Sequence, residues 1–356
     1  MSRVQRLLAA AGVGAKEAVI VYKPANLFYL TGFTGEGIAL LSEAGRAVIT
    51  DFRYVEQAQR QCEGYRILSV EKGQAHEAIA ADCCAQWGVN TLFYEEDAVT
   101  VRTFNQARQA MPGITAWNSL HDETERLRQI KDAEEIGRIE QACRITGETF
   151  GRALGVIREG MTEKELAAWL EYDMLSHGAD GLAFSTIVAA GANGSLPHAV
   201  PSEYRIRRGD LITMDFGAKV KGYCADMTRT VALGEPSPTL RRVYETVQTA
   251  QRMAEEAVQA GGDCRAIDAI ARDYIDAQGY TGRFGHGLGH SLGIEIHESP
   301  RLSAAATGKL EANQLMTVEP GVYLPGEGGV RIENTVLVLE GGCRALTLPT
   351  RELVIL

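Results

Sequence analysis

This sequence predicts two domains: an α/β unit over residues 1–125, then a larger α+β unit over residues 126–356. Three observations lead there. The chain has 356 residues, long for a single hydrophobic core. Helical and strand patterns alternate through its first third. Beyond about residue 130, long amphipathic helices precede strand-rich segments, and one strand–acid–turn–acid pattern occurs twice.

In the first domain, Val4 to Ala11 reads as a helix and Ala18 to Tyr22 as a strand. Gly37 to Leu41 and Ala47 to Thr50 form a hairpin pattern around Glu43-Ala44-Gly45. Arg53 to Cys62 and Ala75 to Trp87 read as helices, and Thr91 to Tyr94 as a further strand. The charged stretch His121 to Arg126 lacks large apolar residues and marks the boundary. A helix then runs from about Asp132 to Ile157, and Thr162 with Glu165 fits a capping box for another. Further helices are expected at Pro238 to Ala260 and Arg265 to Gln278.

The repeated pattern pairs Leu211-Ile212-Thr213-Met214-Asp215 with Leu315-Met316-Thr317-Val318-Glu319. Each run ends in an acid, passes a glycine-containing turn and reaches a second acid, Asp226 or Glu333. His198 or His297 lies upstream of each. An internal duplication is therefore expected.

Composition narrows the function. The chain is 45% hydrophobic and 23% charged, as in ordinary soluble globular proteins, and its net charge is -10. That balance argues against nucleic acid or an anionic membrane as partner. The seven Cys are scattered without a CxxC, which points to reduced thiols and a cytoplasmic location. Arg3 and Arg6 before Leu7 to Ala15 imitate a short secretory leader. Gly12 and Gly14 break that run, so a first helix leading into a strand is expected instead. No apolar run approaches the roughly 18 residues a membrane span needs.

The chemistry concentrates late in the chain. Asp215 and Asp226 flank one predicted hairpin, and Glu319 and Glu333 flank another. Carboxylates in apolar strands are costly to bury unless something positive meets them. Two carboxylates close enough to interact also raise one another's pKa, a penalty that a shared cation removes. Four acids carry about four negative charges, which two divalent cations neutralise. The segment Phe284 to Gly293 supplies imidazoles from His286 and His290, and His297 follows. No HExxH occurs, so a zincin is excluded. Oxygen-rich ligation with one imidazole favours Mn²⁺, Co²⁺, Fe²⁺ or Zn²⁺ over thiolate-loving metals. Two such ions can share a hydroxide, lower the pKa of that water and polarise a scissile carbonyl.

Read together, several stretches resemble the pita-bread metallopeptidases: aminopeptidase P, prolidase and methionine aminopeptidase. They are Pro197-His198, Met214 to Gly217, Tyr223 to Thr230, Gly285 to His290, Ile296-His297-Glu298, Val318 to Gly321 and Gly329 to Asn334. The resemblance covers about residues 128 to 356. The preceding α/β unit is similar to the creatinase-type N-terminal domain of the proline-directed branch. The fold implied is a creatinase-type α/β domain followed by an α+β pita-bread catalytic domain with a pseudo-twofold internal repeat.

The resemblance implies Asp215 as a bidentate ligand of one metal, with Asp226 and Glu333 as bridges. It implies His290 and Glu319 as completing the second metal's shell. Glu319 would also act as general base or proton shuttle. His198 would contact substrate and protonate the leaving imino nitrogen, His297 would stabilise the tetrahedral intermediate, and His286 and Arg331 would shape the proline-side pocket. Asn334 departs from the Asp of many relatives, at a position that is not a ligand. The activity implied is removal of an N-terminal residue that precedes proline, from a peptide substrate. An Xaa-Pro dipeptidase (prolidase) is the alternative, and methionine aminopeptidase or a metal-free binding relative stands further off. By analogy the cofactor is two divalent ions, Mn²⁺ or Co²⁺ ahead of Zn²⁺ or Fe²⁺, and the assembly a homodimer.

Overall fold

The computed structural model describes residues 1–356. They form two compact units, Met1–Arg128 and Gln129–Leu356.

The first unit runs α1 (Arg3–Ala10), β1 (Glu17–Val21), α2 (Pro24–Thr31), β2 (Gly37–Ser42), β3 (Arg46–Asp51), α3 (Val55–Gln61), β4 (Arg66–Val70), α4 (His76–Trp87), β5 (Thr91–Tyr94), α5 (Val101–Ala110), β6 (Ala116–Ser119) and α6 (Glu123–Gln129). Its six strands make one sheet in the order β4-β3-β2-β1-β5-β6. β1 is central because it is apolar from its second residue on: Ala18, Val19, Ile20 and Val21 are all fully buried. It pairs antiparallel with β2 and parallel with β5, and the expected β2–β3 hairpin is present. The charged stretch read as a boundary is itself partly helical, since α6 begins at Glu123 and buries Thr124 and Arg128.

The second unit opens with two helices, α7 (Ala133–Ala153) and α8 (Glu163–Ser176), each started by a reciprocal capping box, Asp132/Glu135 and Thr162/Glu165. Strands β7 (Gly181–Leu182), β8 (Ile187–Ala190), β9 (Leu211–Phe216), β10 (Ala218–Val220), β11 (Tyr223–Cys224) and β12 (Met227–Ala232) follow. A second helix pair, α9 (Pro238–Glu256) and α10 (Cys264–Ile275), introduces β13 (Gly289–Ser291), β14 (Glu298–Leu302), β15 (Leu315–Val318), β16 (Gly321–Leu324), β17 (Gly328–Arg331), β18 (Asn334–Leu339) and β19 (Gly342–Ala345).

The repeat is visible in the ladders. β9 pairs antiparallel with β12 and encloses the short β10–β11 ribbon; β15 pairs antiparallel with β18 and encloses the β16–β17 ribbon. In the first copy the ribbon turns at Lys221-Gly222, both at positive φ. The two copies are laced together along Asp226–Thr230 and Arg331–Thr335. The Glu333 N–H donates to the Thr228 carbonyl (3.1 Å), Thr230 Oγ1 to the Arg331 carbonyl (2.9 Å) and Thr335 Oγ1 to the Asp226 carbonyl (2.8 Å). These bonds draw the acids of the two copies into one place.

Behind that seam lies Arg229, 1% exposed. Its guanidinium donates to the Glu333, Pro349 and Thr350 carbonyls and to Asn334 Oδ1. Asn334 also donates from Nδ2 to Glu255 (2.8 Å) and accepts from Thr347 Oγ1 (3.0 Å). A neutral amide satisfies both neighbours, and a carboxylate there would face Glu255 with like charge. All seven Cys are free and six are buried, and no helix is long and apolar enough to cross a membrane.

Candidate metal centre and active site

A cavity of about 520 Å³ opens in the second unit, and all nine candidate residues line it: His198, Asp215, Asp226, His286, His290, His297, Glu319, Arg331 and Glu333. Each reaches it from an element whose position follows from the repeat. Asp215 lies near the end of β9, and Asp226 immediately precedes β12. Glu319 links β15 to β16, and Glu333 immediately precedes β18. His290 is the middle residue of β13, whose other imidazole neighbour, His297, stands just before β14.

Asp226, His290 and Glu333 form the tightest group, their ligand atoms all within 4.8 Å of one another. His290 Nε2 lies 3.6 Å from Asp226 Oδ2 and 3.3 Å from Glu319 Oε1. The His290 ring is oriented from behind: Nδ1 is 3.0 Å from the Ser291 carbonyl. A carbonyl only accepts, so Nδ1 carries a hydrogen, and Nε2 is the ring atom turned towards the acids. Glu333 Oε2 accepts from Thr228 Oγ1 (2.8 Å), and Glu319 Oε1 accepts from Thr317 Oγ1 (3.0 Å). Asp215 Oδ2 accepts from Arg331 Nη2 at 2.6 Å.

Two oxygens of this group, Asp215 Oδ1 and Glu333 Oε1, are buried and accept no hydrogen bond. A buried anionic oxygen without a donor is costly, and a cation is the partner that resolves it. Four carboxylates with one imidazole form a donor set for first-row divalent metals. The residues present therefore fit divalent cations.

The electrostatics agree. Burial pushes the Asp226 carboxyl well above its ordinary range, and the charges of Glu333, Asp215 and Glu319 push it further. Burial does the same to Glu333, with Glu319 and Asp215 adding to it. Asp215 is raised by burial against the pull of Arg331. Glu319 goes the other way: burial opposes its charge, yet His290, His286 and Arg331 hold it down at about 2.

A second group faces the same cavity. The Arg331 guanidinium, 4% exposed, donates from Nε to Thr228 Oγ1 (3.1 Å) and from Nη1 to the Pro197 carbonyl (3.1 Å) and the Tyr323 hydroxyl (3.0 Å). His286 Nδ1 donates to the Gly287 carbonyl (2.9 Å), which leaves Nε2 to accept from the Tyr323 hydroxyl at 2.8 Å. Burial, first of all, keeps His286 below its ordinary pKa. Arg331 and Tyr323 meet because they are diagonal neighbours on one face of the β16–β17 ribbon, where Gly321 pairs with Arg331. A Cβ at Gly321 would stand 2.4 Å from the Tyr323 hydroxyl, so only glycine leaves room for the phenol.

The remaining two histidines are exposed to the cavity. His297 packs edge-on against His290, ring centroids 4.5 Å apart. Burial, then the charges of His290 and Arg301, lower its pKa. His198 follows Pro197, whose carbonyl Arg331 holds. Sequence reasoning missed Tyr323, Arg301, Phe184 and Ile296, which join the lining or its hydrogen bonds. The one signal for Tyr323 was its place in the strand that leads from Glu319.

The chain matches the model of Metallopeptidase family M24 over residues 137–340 and that of the Creatinase/Prolidase N-terminal domain over residues 1–130. It is 36% identical to the Xaa-Pro dipeptidase of Pyrococcus furiosus over 99% of each chain. Among solved structures it is similar to an Xaa-Pro dipeptidase from Bacillus anthracis, with TM-score 0.94, 39% identity and 99% of each chain covered. It is likewise similar to an X-Pro aminopeptidase from Thermotoga maritima, with TM-score 0.92, 38% identity and 100% of each chain covered.

Proposed function

We propose that this chain, which belongs to metallopeptidase family M24 and carries a creatinase/prolidase N-terminal domain, hydrolyses the bond between an N-terminal residue and proline with two divalent cations. The observation that carries this reading is the buried cluster of four carboxylates around His290, with two carboxylate oxygens left without donors. Asp215 and Glu319 would each hold one cation more closely, Asp226 and Glu333 would serve both, and His290 would complete the set with Glu319. Bound there, the two cations supply a water of lowered pKa and polarise the scissile carbonyl. Mn²⁺ or Co²⁺ is the proposed pair. We assign residues 1–125 to a non-catalytic N-terminal domain and 126–356 to the catalytic one, in a cytoplasmic homodimer.

The protein's own groups do the remaining work. Glu319, ionised at neutral pH, accepts the proton of the attacking water. An Xaa-Pro bond is a tertiary amide without an N–H, so recognition rests on ring shape and the departing nitrogen needs a proton from outside. His198 faces the cavity with both ring nitrogens outside the network around Arg331, and donates that proton. His297, beside His290, meets the oxygen that gains charge as the carbonyl turns tetrahedral. The Arg331–Tyr323–His286 chain fixes one wall of the cavity as a rigid, partly apolar surface for the proline ring. A dipeptidase acting on Xaa-Pro alone is the second reading, favoured by the relatives that bear that name.

The test is hydrolysis of Xaa-Pro and Xaa-Pro-Yaa substrates by metal-loaded protein. A chelator should abolish it, and Mn²⁺ or Co²⁺ should restore it. Equal cleavage of Met-Ala peptides would break the proline assignment.

The raised acids also set a pH dependence. Asp226 and Glu333 hold protons to higher pH than free carboxyls do, so a cation must displace them. Metal affinity should strengthen as pH rises, and calorimetry in two buffers of different ionisation enthalpy should register proton release. Without metal the sign reverses for stability. The folded form binds more protons than the unfolded one above about pH 4, so chelated protein should lose stability as pH rises. Binding heats that do not depend on the buffer would contradict this.

A further inference from the structure

Lys131 carries no motif, yet it is one of the most buried charges of the second unit, 2% exposed. Its ammonium lies 3.2 Å from Ser291 Oγ and 3.2 Å from Glu298 Oε2. Ser291 and Glu298 are themselves register partners in the β13–β14 ladder, at the point where the pairing slips between His290 and Ser291. Irregular pairing of this kind re-aims side chains, and here it falls directly after His290. Ser291 directly follows His290 and provides the carbonyl that orients its ring. Glu298 directly follows His297, and its Oε1 accepts from the Glu295 N–H at 3.1 Å. A Cβ at Gly293 would stand 2.9 Å from both Glu298 oxygens, so the carboxylate lies flat on the turn that joins the two histidines.

We infer that Lys131 is a positioning residue: one ammonium pins both strands at the irregular end of the ladder and thereby fixes how His290 and His297 face the cavity. This rests on reading that cavity as the active site. A purely structural role, neutralising the buried Glu298, is the rival, since an unpaired buried charge destabilises a fold whatever it positions.

Lys131→Met and the double variant Lys131→Met/Glu298→Gln separate the two. The single variant should lose thermal stability, and its kcat on an Xaa-Pro substrate should fall about 10–100-fold, as for a small misplacement of reacting groups. Its KM should stay within about threefold. The double variant removes both members of the Lys131–Glu298 pair, so its stability should return towards wild type while its kcat stays low; should the single variant not fold, the double carries the test. Ring-nitrogen NMR of chelator-treated protein gives a readout independent of turnover. Wild-type His290 should keep the Nδ1–H signal of a ring bonded to the Ser291 carbonyl, and both variants should show that signal mixed or shifted. Recovery of kcat to within about twofold in the double variant, or unchanged His290 signals in both, would overturn the positioning role. An inactive wild-type protein would sink the reading of the site instead, leaving the ring signals to decide the role of Lys131.

Discussion

Asp226→Asn is expected to lose bound metal and turnover together, with kcat on Xaa-Pro substrates down by on the order of 10³-fold, the several kcal/mol that bound metal supplies. Asp226 is central to the tightest group, within reach of His290 and Glu333. An amide keeps the shape but offers one neutral oxygen where a shared anion is needed. The same change relieves the pressure on the protein: among its own groups Asp226 is pushed up by burial and by three neighbouring acids. The chelated variant should therefore be at least as thermally stable as chelated wild type, while its metal content by elemental analysis falls. A variant that keeps both metal and full rate would remove Asp226 from the scheme.

His198→Ala should show the opposite dissociation. His198 faces the cavity but does not join the group around His290, so metal content should be unchanged. Loss of a positioned general acid costs about 10²–10⁴-fold in turnover. The fall should appear in kcat, with KM altered much less, because the proton is needed only as the C–N bond breaks. A substrate whose leaving nitrogen is activated should recover most of the loss. A His198→Ala protein that lost metal would place His198 among the ligands, and one with wild-type kcat would leave the leaving group to another donor.

The residues of the site were legible because their identities are improbable where they stand. Acids at the ends of apolar runs, repeated at 215 and 319, needed a positive partner, and the Gly-His-Gly-Leu-Gly-His segment was too rich in glycine for a regular helix. The capping box at Thr162, the helix start near Asp132 and the β2–β3 hairpin were readable for the same local reason.

What escaped was either weakly patterned or purely through-space. Helix α5 buries only Ala107, α6 is mostly charged, and edge strands β4 and β6 are only partly buried, so little apolar surface marks them in the sequence. Helix α10 was expected to reach Gln278 but ends at Ile275, where the backbone widens into a π turn closed by Gly279 at φ 91°. Tyr323 enters the site through a diagonal contact across a ribbon, and Lys131 through contacts with residues 160 and 167 positions away. No spacing along the chain announces either.

The account stands on cations gathered by acids from both copies of the repeat, and anomalous diffraction from crystals grown with manganese tests it most directly. Two anomalous peaks, about 3.5–4 Å apart as in two-metal sites, are predicted among Asp215, Asp226, His290, Glu319 and Glu333. A cavity without those peaks, its carboxylates turned away from one another, would contradict it.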